Sequence, residues 1–176
     1  MSHSQQAGLL AVLGSAVLWG CSAAAPMPTV AEVDLDRFMG DWYVIANIPT
    51  RIERGAHNAV ESYRLDADGT IATTFTFRDG SFSGERRVYR PRGFVRNHQS
   101  NAEWGMQFLW PFKADYRIVY LDPDYRMTII ARKQRDYVWL MARTPQISDV
   151  DYARMVDRVA ELGYDTSLLQ RVPQQW

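Results

Sequence analysis

The sequence predicts an all-β protein: one closed, eight-stranded, up-and-down antiparallel barrel, with a single α-helix packed on its outside near the C-terminus. Three observations lead to this fold class. Short apolar runs with a period of two follow one another after Pro28 and are separated by turn signals, which is typical of half-buried strands. There are about eight such runs, the number at which a closed barrel has room for one small ligand. A segment with helical spacing follows the last run.

The first three strands are predicted at 41–48, 58–65 and 70–77. The second and third are joined by Asp66-Ala67-Asp68-Gly69. A turn with Asp and Gly between alternating runs is a hairpin signal, because Gly accepts the positive φ that such a turn needs.

Five more strands are predicted at 86–96, 102–109, 116–121, 127–131 and 137–143. Trp110-Pro111-Phe112 interrupts the fifth run of the series. Turns at 122–124 and 134–136 join the last three runs and are short enough for antiparallel neighbours.

The helix is predicted to begin at Ser148, because Asp151 follows three residues later in a pattern that resembles a capping box. Gly163 marks its end. One apolar stripe runs along it and needs a surface to cover, for which the outside of the barrel is the obvious candidate; the stripe is formed by Tyr152, Met155, Val156, Val159 and Leu162.

The N-terminus predicts export. Residues 8–20 carry no charge and have the length of a signal-peptide apolar region, too short for a comfortable membrane span. They end at Cys21, the only cysteine, in Leu18-Trp19-Gly20-Cys21, which resembles a bacterial lipobox. We therefore expect a signal peptide at 1–20, a lipidated N-terminus and tether at 21–32, and one domain at 33–176. An ordinary cleaved signal with a stray cysteine is the alternative.

Several function classes lose support. Basic and acidic residues balance at 20 each, so no basic surface selects nucleic acid. His57 and His98 are the only histidines after the signal segment, and no metal-binding or phosphate-loop motif is present. We expect a non-enzymatic protein without metal or cofactor. The oligomeric state stays open, a homodimer included.

Three short motifs fall in order along the chain: Gly40-Asp41-Trp42, then Leu121-Asp122-Pro123-Asp124-Tyr125, then Arg143-Thr144-Pro145. Together they resemble the lipocalin family over about residues 33–170, and the stretches GDWYVIA, RIERG and WPF are similar to the bacterial lipocalin group. The resemblance implies that Gly40, Trp42 and Arg143 close the barrel, with the guanidinium stacked on the indole.

Strand parity then predicts the cavity. Counting from Trp42 and Arg143, the first and last strands should point Val44, Ala46, Tyr137, Trp139 and Met141 inward. The lipocalin register adds Tyr63, Thr73, Phe75, Met106, Phe108, Tyr116, Ile118, Tyr120 and Ile129. Glu61 shares parity with Tyr63. Its carboxylate either binds a ligand headgroup through Arg or water or lies at the wet rim, and we favour the rim.

The lipocalin likeness implies a carrier anchored through Cys21 to the outer membrane and facing the periplasm. Its expected ligands are fatty acids such as palmitate, or lysophospholipids, stored or transported in an apolar cavity with a few Tyr hydroxyls. The rival is a membrane-tethered interaction protein whose barrel is filled by its own side chains. The small residues Val44, Ala46 and Thr73 favour a cavity.

Overall fold

The computed structural model describes residues 26–176; the predicted signal peptide and Cys21 lie outside this part of the chain. The described residues form a closed antiparallel β-barrel with eight strand positions and a C-terminal helix, as predicted. Each strand position pairs with the next along the chain, and the ring closes where β1 pairs with β9. The strands are β1 (Gly40–Ile48), β2 (Ala56–Leu65), β3 (Thr70–Asp79), β4 (Arg86–Tyr89), β5 (Arg92–Val95), β6 (Glu103–Leu109), β7 (Phe112–Leu121), β8 (Met127–Ala131) and β9 (Val138–Ala142).

β4 and β5 together fill the fourth strand position. Both pair with β3, and Pro91 lies between them. Proline has no N–H to donate and therefore interrupts a ladder. The Pro91 carbonyl still accepts a hydrogen bond from the Thr73 amide at 3.2 Å, so the wall continues across the break.

β7 is longer than the predicted strand and begins at Phe112 instead of residue 116. β6 and β7 therefore form one hairpin whose tip is Trp110-Pro111, with a cis peptide bond between the two.

A short helix, α1 (Leu35–Phe38), precedes β1, and Asp34 caps it by accepting a hydrogen bond from the Arg37 amide. The predicted helix is α2 (Asp149–Glu161), with Ser148 as its N-cap accepting from the Asp151 amide. A two-residue strand, β10 (Gln170–Arg171), then pairs with the second half of β1 beyond the end of β2.

Two apolar clusters lie on opposite sides of the barrel wall. One fills the lower barrel interior, and the other lies between α2 and the outside of β1, β7, β8 and β9. Met27 is buried in the outer cluster, and the Val30 amide donates to the Ile118 carbonyl, so packing begins before residue 33. The barrel, its core and its covering helix are all contained in residues 26–176, so this part has what it needs to fold without the preceding segment.

Two β-bulges overturn part of the predicted interior. The register shifts between Val44 and Ala46, and again between Ile118 and Tyr120. A bulge adds one residue to a strand and reverses the faces beyond it. The inward orientation predicted for Ala46 and Tyr120 is therefore wrong, since both pack toward α2.

The inward orientation predicted for Ile129 is also wrong, because Ile129 pairs with a residue beyond the β7 bulge. Ile129 pairs with Tyr120 and Leu140 on the helix side, while Ile130 faces the interior in its place.

The two ends of the barrel differ. The connections 49–55, 80–85, 110–111 and 132–137 surround an opening, whereas α1 and the connections 66–69, 96–102 and 122–126 lie at the opposite, closed end. Within residues 26–176, no helix has the length and apolar character needed to cross a membrane.

Candidate ligand-binding site

The closed end is fastened by Arg143, which directly follows β9. Its guanidinium carbon lies 3.8 Å from the centre of the Trp42 ring, a cation–π contact. Every guanidinium nitrogen also donates to a backbone carbonyl: Nη2 to Arg37 and Phe38 at 2.8 and 3.0 Å, Nη1 to Asp41 at 2.8 Å, and Nε to Tyr125 at 3.3 Å. One side chain thus ties α1, β1 and the β7–β8 connection together.

The backbone conformation at the start of β1 favours glycine at Gly40. Its φ is +91°, a region that other residues rarely adopt, whereas a Cβ there would only touch Arg143 Nη1 at 3.4 Å. Two residues later, Trp42 points inward, is fully buried, and donates from Nε1 to the Phe38 carbonyl at 2.9 Å. The Gly-x-Trp spacing therefore follows from the closure of the barrel.

Aromatic rings fill the lower barrel above this closure. Phe38 lies 5.0 Å from Trp42 and 5.5 Å from Trp104, measured between ring centres, and Trp104 stacks on Tyr116 at 5.1 Å. These rings fill the barrel interior at the closed end, so binding space inside the barrel lies higher.

A cavity of about 330 Å³ lies above the aromatic floor and opens between the connections at the other end. Ligand pockets in proteins commonly measure ~300–1,000 Å³. Its walls are predominantly apolar, and five charged side chains also line it. The lining residues are Thr50, Arg51, Ile52, Glu53, Glu61, Phe75, Pro91, Met106, Phe108, Ala114, Asp115, Tyr116, Ile130, Arg132, Trp139 and Met141.

The fourteen predicted cavity residues divide into groups. Phe75, Met106, Phe108, Tyr116, Trp139 and Met141 line the cavity. Val44, Tyr63, Thr73 and Ile118 are buried within the barrel but do not line it, because they belong to the packed layer around the floor. Tyr137 is half-buried beside Trp139, with ring centres 6.4 Å apart, and does not line the cavity either. Ala46, Tyr120 and Ile129 lie outside the wall.

Glu61 is a cavity residue, and its interpretation as a rim residue is wrong. Its carboxylate accepts a hydrogen bond from the Tyr63 hydroxyl, which in turn lies 2.7 Å from the Tyr116 hydroxyl. Burial, opposed by the Tyr63 hydrogen bond and assisted by the nearby charge of Glu53, raises the pKa of Glu61 from 4.5 to about 7. Burial and the charge of Glu61 also raise the pKa of both tyrosines well above 10, so their hydroxyls stay protonated.

We expect Glu61→Gln to stabilise the protein at pH 8 by about 2 kcal/mol and to change little at pH 4. A carboxyl with a raised pKa in the folded state keeps its proton where the unfolded chain loses it. The free energy of unfolding therefore falls as pH rises from about 4.5 to about 7. Urea unfolding at both pH values measures this, with the exposed Glu161→Gln as control. Equal pH dependence in the wild type and Glu61→Gln would contradict the assignment.

Glu53 holds the β1–β2 connection over the opening. It is buried, and it accepts hydrogen bonds from the Thr50 amide and hydroxyl at 2.8 and 2.6 Å. Its other oxygen accepts from Trp139 Nε1 at 2.7 Å, so the connection is bonded to β9, the strand that neighbours β1. The sequence offered no signal for this contact beyond an acidic residue in a short connection.

Two arginines at the mouth of the cavity were not predicted from the sequence. Arg132 ends the β8 wall; its Nε is buried and makes no hydrogen bond within the described residues, although Asp136 lies 3.4 Å away. Arg51 lines the cavity from the neighbouring β1–β2 connection and is exposed. A guanidinium binds carboxylate and phosphate groups well, so the mouth offers attraction to an anionic headgroup.

A closed barrel with a packed floor, an apolar cavity and a polar mouth defines a ligand-binding β-barrel protein. The model of the lipocalin-like domain family matches residues 33–174. The chain belongs to the lipocalin family, whose members are in general binding and transport proteins rather than enzymes.

Individual relatives agree with this assignment. The chain is 30% identical over 157 residues to temperature-induced lipocalin-1 of Arabidopsis thaliana, covering 84% of this chain and 83% of that protein. It is 29% identical over 170 residues to the outer membrane lipoprotein Blc of Citrobacter freundii, covering 93% and 94%. Among solved structures, insecticyanin of the tobacco hornworm Manduca sexta superposes with a TM-score of 0.66 at 14% identity, covering 85% of each chain.

Proposed function

We propose that this lipocalin is a lipid-anchored carrier that binds single-chain lipids, fatty acids or lysophospholipids, and stores or transports them without chemical change. The observation that carries the proposal is the cavity itself: an apolar space that ends on a packed aromatic floor and opens between charged residues. Such a space matches a molecule with one long apolar part and one charged end.

The charges at the mouth set the orientation of the ligand. We expect the carboxylate or phosphate to lie beside Arg51 and Arg132, because they are the basic residues of the cavity lining. The acyl chain then descends past Trp139 and Met141 and ends near Glu61. Because the pKa of Glu61 is raised to about 7, a substantial fraction of its carboxyl groups is protonated at neutral pH, which lowers the cost of covering it with an apolar chain.

Attachment to the outer membrane through Cys21 is part of the proposal. It is supported by the lipobox-like sequence and by relatives that are named outer membrane lipoproteins. Metabolic labelling with a radioactive fatty acid tests it: the wild type should incorporate label, and Cys21→Ser should not. Label in Cys21→Ser would refute the anchor while leaving the cavity proposal intact.

Ligand binding is tested with palmitate brominated at either end of the chain, because bromine quenches tryptophan fluorescence only at short range. The protein lacks residues 1–21 and carries Trp110→Phe and Trp176→Phe, which removes the two exposed indoles. We expect saturable binding with a Kd of about 1 μM or tighter. Bromine near the carboxylate should quench Trp139 more than bromine at the chain terminus, which should approach Trp42 and Trp104.

Matched variants keep this test specific. Trp139→Phe should remove the strong headgroup-side quenching, whereas Arg51→Gln with Arg132→Gln should weaken palmitate binding about tenfold through lost charge. Absence of saturable quenching by every acyl ligand would overturn the carrier proposal in favour of a tethered interaction protein. The filled floor agrees with that alternative, but the cavity above it does not.

A further inference from the structure

The tip of the β6–β7 hairpin is the most exposed apolar surface of the described chain. Leu109, Trp110 and Phe112 are 72%, 80% and 73% exposed, around a turn that projects from the open end. Phe108, next to them, is 54% exposed and also lines the cavity. An apolar surface therefore runs without a break from the tip into the binding space.

A hairpin tip that faced only water would not be expected to carry several large apolar side chains. Singly exposed apolar residues are ordinary, but several large ones in succession indicate an interaction surface. The tip is a hairpin that no other part of residues 26–176 covers. Ile52 and Phe82, on two other connections of the same end, are 44% and 40% exposed and enlarge the apolar area.

The charges around this end identify the partner. The open-end connections 49–55, 80–85, 110–111 and 132–137, together with the segment 162–169 that is bonded to the last of them, carry five basic and four acidic residues. One of the acids is the buried Glu53, which does not face solvent. The closed-end segments 34–39, 66–69, 96–102, 122–126 and 143–148 carry four basic and six acidic residues, so a chain with no net charge is polarised along its barrel axis.

Exposed cations surround the tip. Arg51, Arg54 and Lys133 are exposed and form no ion pair within the described residues. Lys113 directly follows the tip, with its Nζ 3.4 Å from the centre of the Phe94 ring. Apolar side chains that include Trp, ringed by Lys and Arg, match the boundary between the acyl chains and headgroups of an anionic bilayer.

We propose that the open end of the barrel docks on an anionic lipid bilayer, with Leu109, Trp110 and Phe112 inserted among the lipids and the surrounding cations on the headgroups. The closed, acidic end then points away from the membrane. In this orientation the cavity mouth faces the bilayer, and a lipid could pass along Phe108 without crossing water. This surface is separate from the Cys21 anchor, and docking is measured without any ligand in the cavity.

The test uses the protein lacking residues 1–21, so that no lipid anchor contributes, and vesicles of phosphatidylethanolamine and phosphatidylglycerol in a 3:1 ratio. Flotation should show binding that weakens in high salt and is much weaker to phosphatidylcholine vesicles. Leu109→Ser, Trp110→Ser and Phe112→Ser together should reduce vesicle affinity about tenfold or more. None of the three lines the cavity, so palmitate binding in solution should stay unchanged.

Matched controls lie elsewhere on the surface. Val150→Ser removes a side chain that is 68% exposed on α2, and Arg126→Gln removes an exposed cation at the closed end; neither should alter vesicle binding. Quenching by lipids brominated in the acyl chain should be seen in the wild type and largely lost in Trp110→Phe.

Two results would overturn the proposal. One is vesicle binding by the triple serine variant equal to the wild type. The other is sedimentation showing that the tip drives self-association in place of vesicle binding, in which case the surface is covered by a second copy of the chain. Failure of palmitate binding with intact docking would count against the carrier function alone.

Discussion

Replacing Ala114 with Trp is expected to lower the affinity for palmitate about 100-fold, equivalent to about 2.7 kcal/mol of binding free energy. Ala114 lies on β7 and is a small side chain in the cavity wall, paired with Met106 on β6. An indole at this position would occupy the space in which the acyl chain is proposed to lie. The stability of the fold should change by less than about 1 kcal/mol, because the new side chain enters space that is empty.

The matched control is Ala72→Trp. Ala72 is on the outward face of β3. It pairs with Arg64 and Arg92 and does not line the cavity. It should leave palmitate affinity unchanged, as measured by calorimetric titration of both variants and the wild type. Unchanged affinity in Ala114→Trp would show that the ligand does not bind in this cavity.

Arg143→Ala is expected to destabilise the fold by about 3–4 kcal/mol and to lower the melting temperature by about 10 °C. The substitution removes the stacking on Trp42 and one hydrogen bond from each of four backbone carbonyls, of which the Phe38 carbonyl keeps its bond from Trp42 Nε1. Arg143→Lys should recover only part of the loss, since an ammonium cannot reach all four carbonyls at once.

Arg126 provides the comparison for Arg143 because it lies at the same end of the barrel. Its pairs with Asp122 and Asp124 are exposed on the arginine side, so Arg126→Ala should cost less than about 1 kcal/mol. Urea unfolding of the two variants measures the difference. Similar losses in both would mean that Arg143 acts as an ordinary surface charge and does not fasten the closed end.

The strands could be predicted from short apolar runs bounded by turn signals, and most clearly where an apolar inward row alternates with a polar outward row. β3 shows this alternation from Thr70 to Phe77, and Asp66–Gly69 marks its hairpin. The helix could be predicted from Ser148 and the apolar stripe. These signals are local, and tertiary packing reinforces them.

The cavity residues were harder to predict where both faces of a strand are apolar. Along β8 the run Thr128, Ile129, Ile130 and Ala131 is entirely buried, because one face meets the interior and the other meets α2. The inward-facing residues cannot be assigned from such a run. The bulges beside Ile45 in β1 and Val119 in β7 also have no recognisable pattern in the sequence.

The two acids of the cavity were missed for a different reason. Glu61 and Glu53 are bonded to Tyr63, Trp139 and Thr50, and the contact between Glu53 and Trp139 joins two separate elements of the barrel. A single sequence shows an acidic residue in a strand or connection but not the donors that satisfy it. The Arg132 side chain at the mouth escaped prediction in the same way.

The most direct test of the carrier function is native mass spectrometry of the protein lacking residues 1–21, expressed in bacteria and purified without detergent, followed by lipid extraction. We predict a protein mass raised by one bound fatty acid or lysophospholipid, absent from Ala114→Trp and present in Ala72→Trp. If the protein has the mass of the unliganded chain and also fails to bind added palmitate and lysophospholipid, the carrier function is contradicted and a tethered interaction protein is favoured.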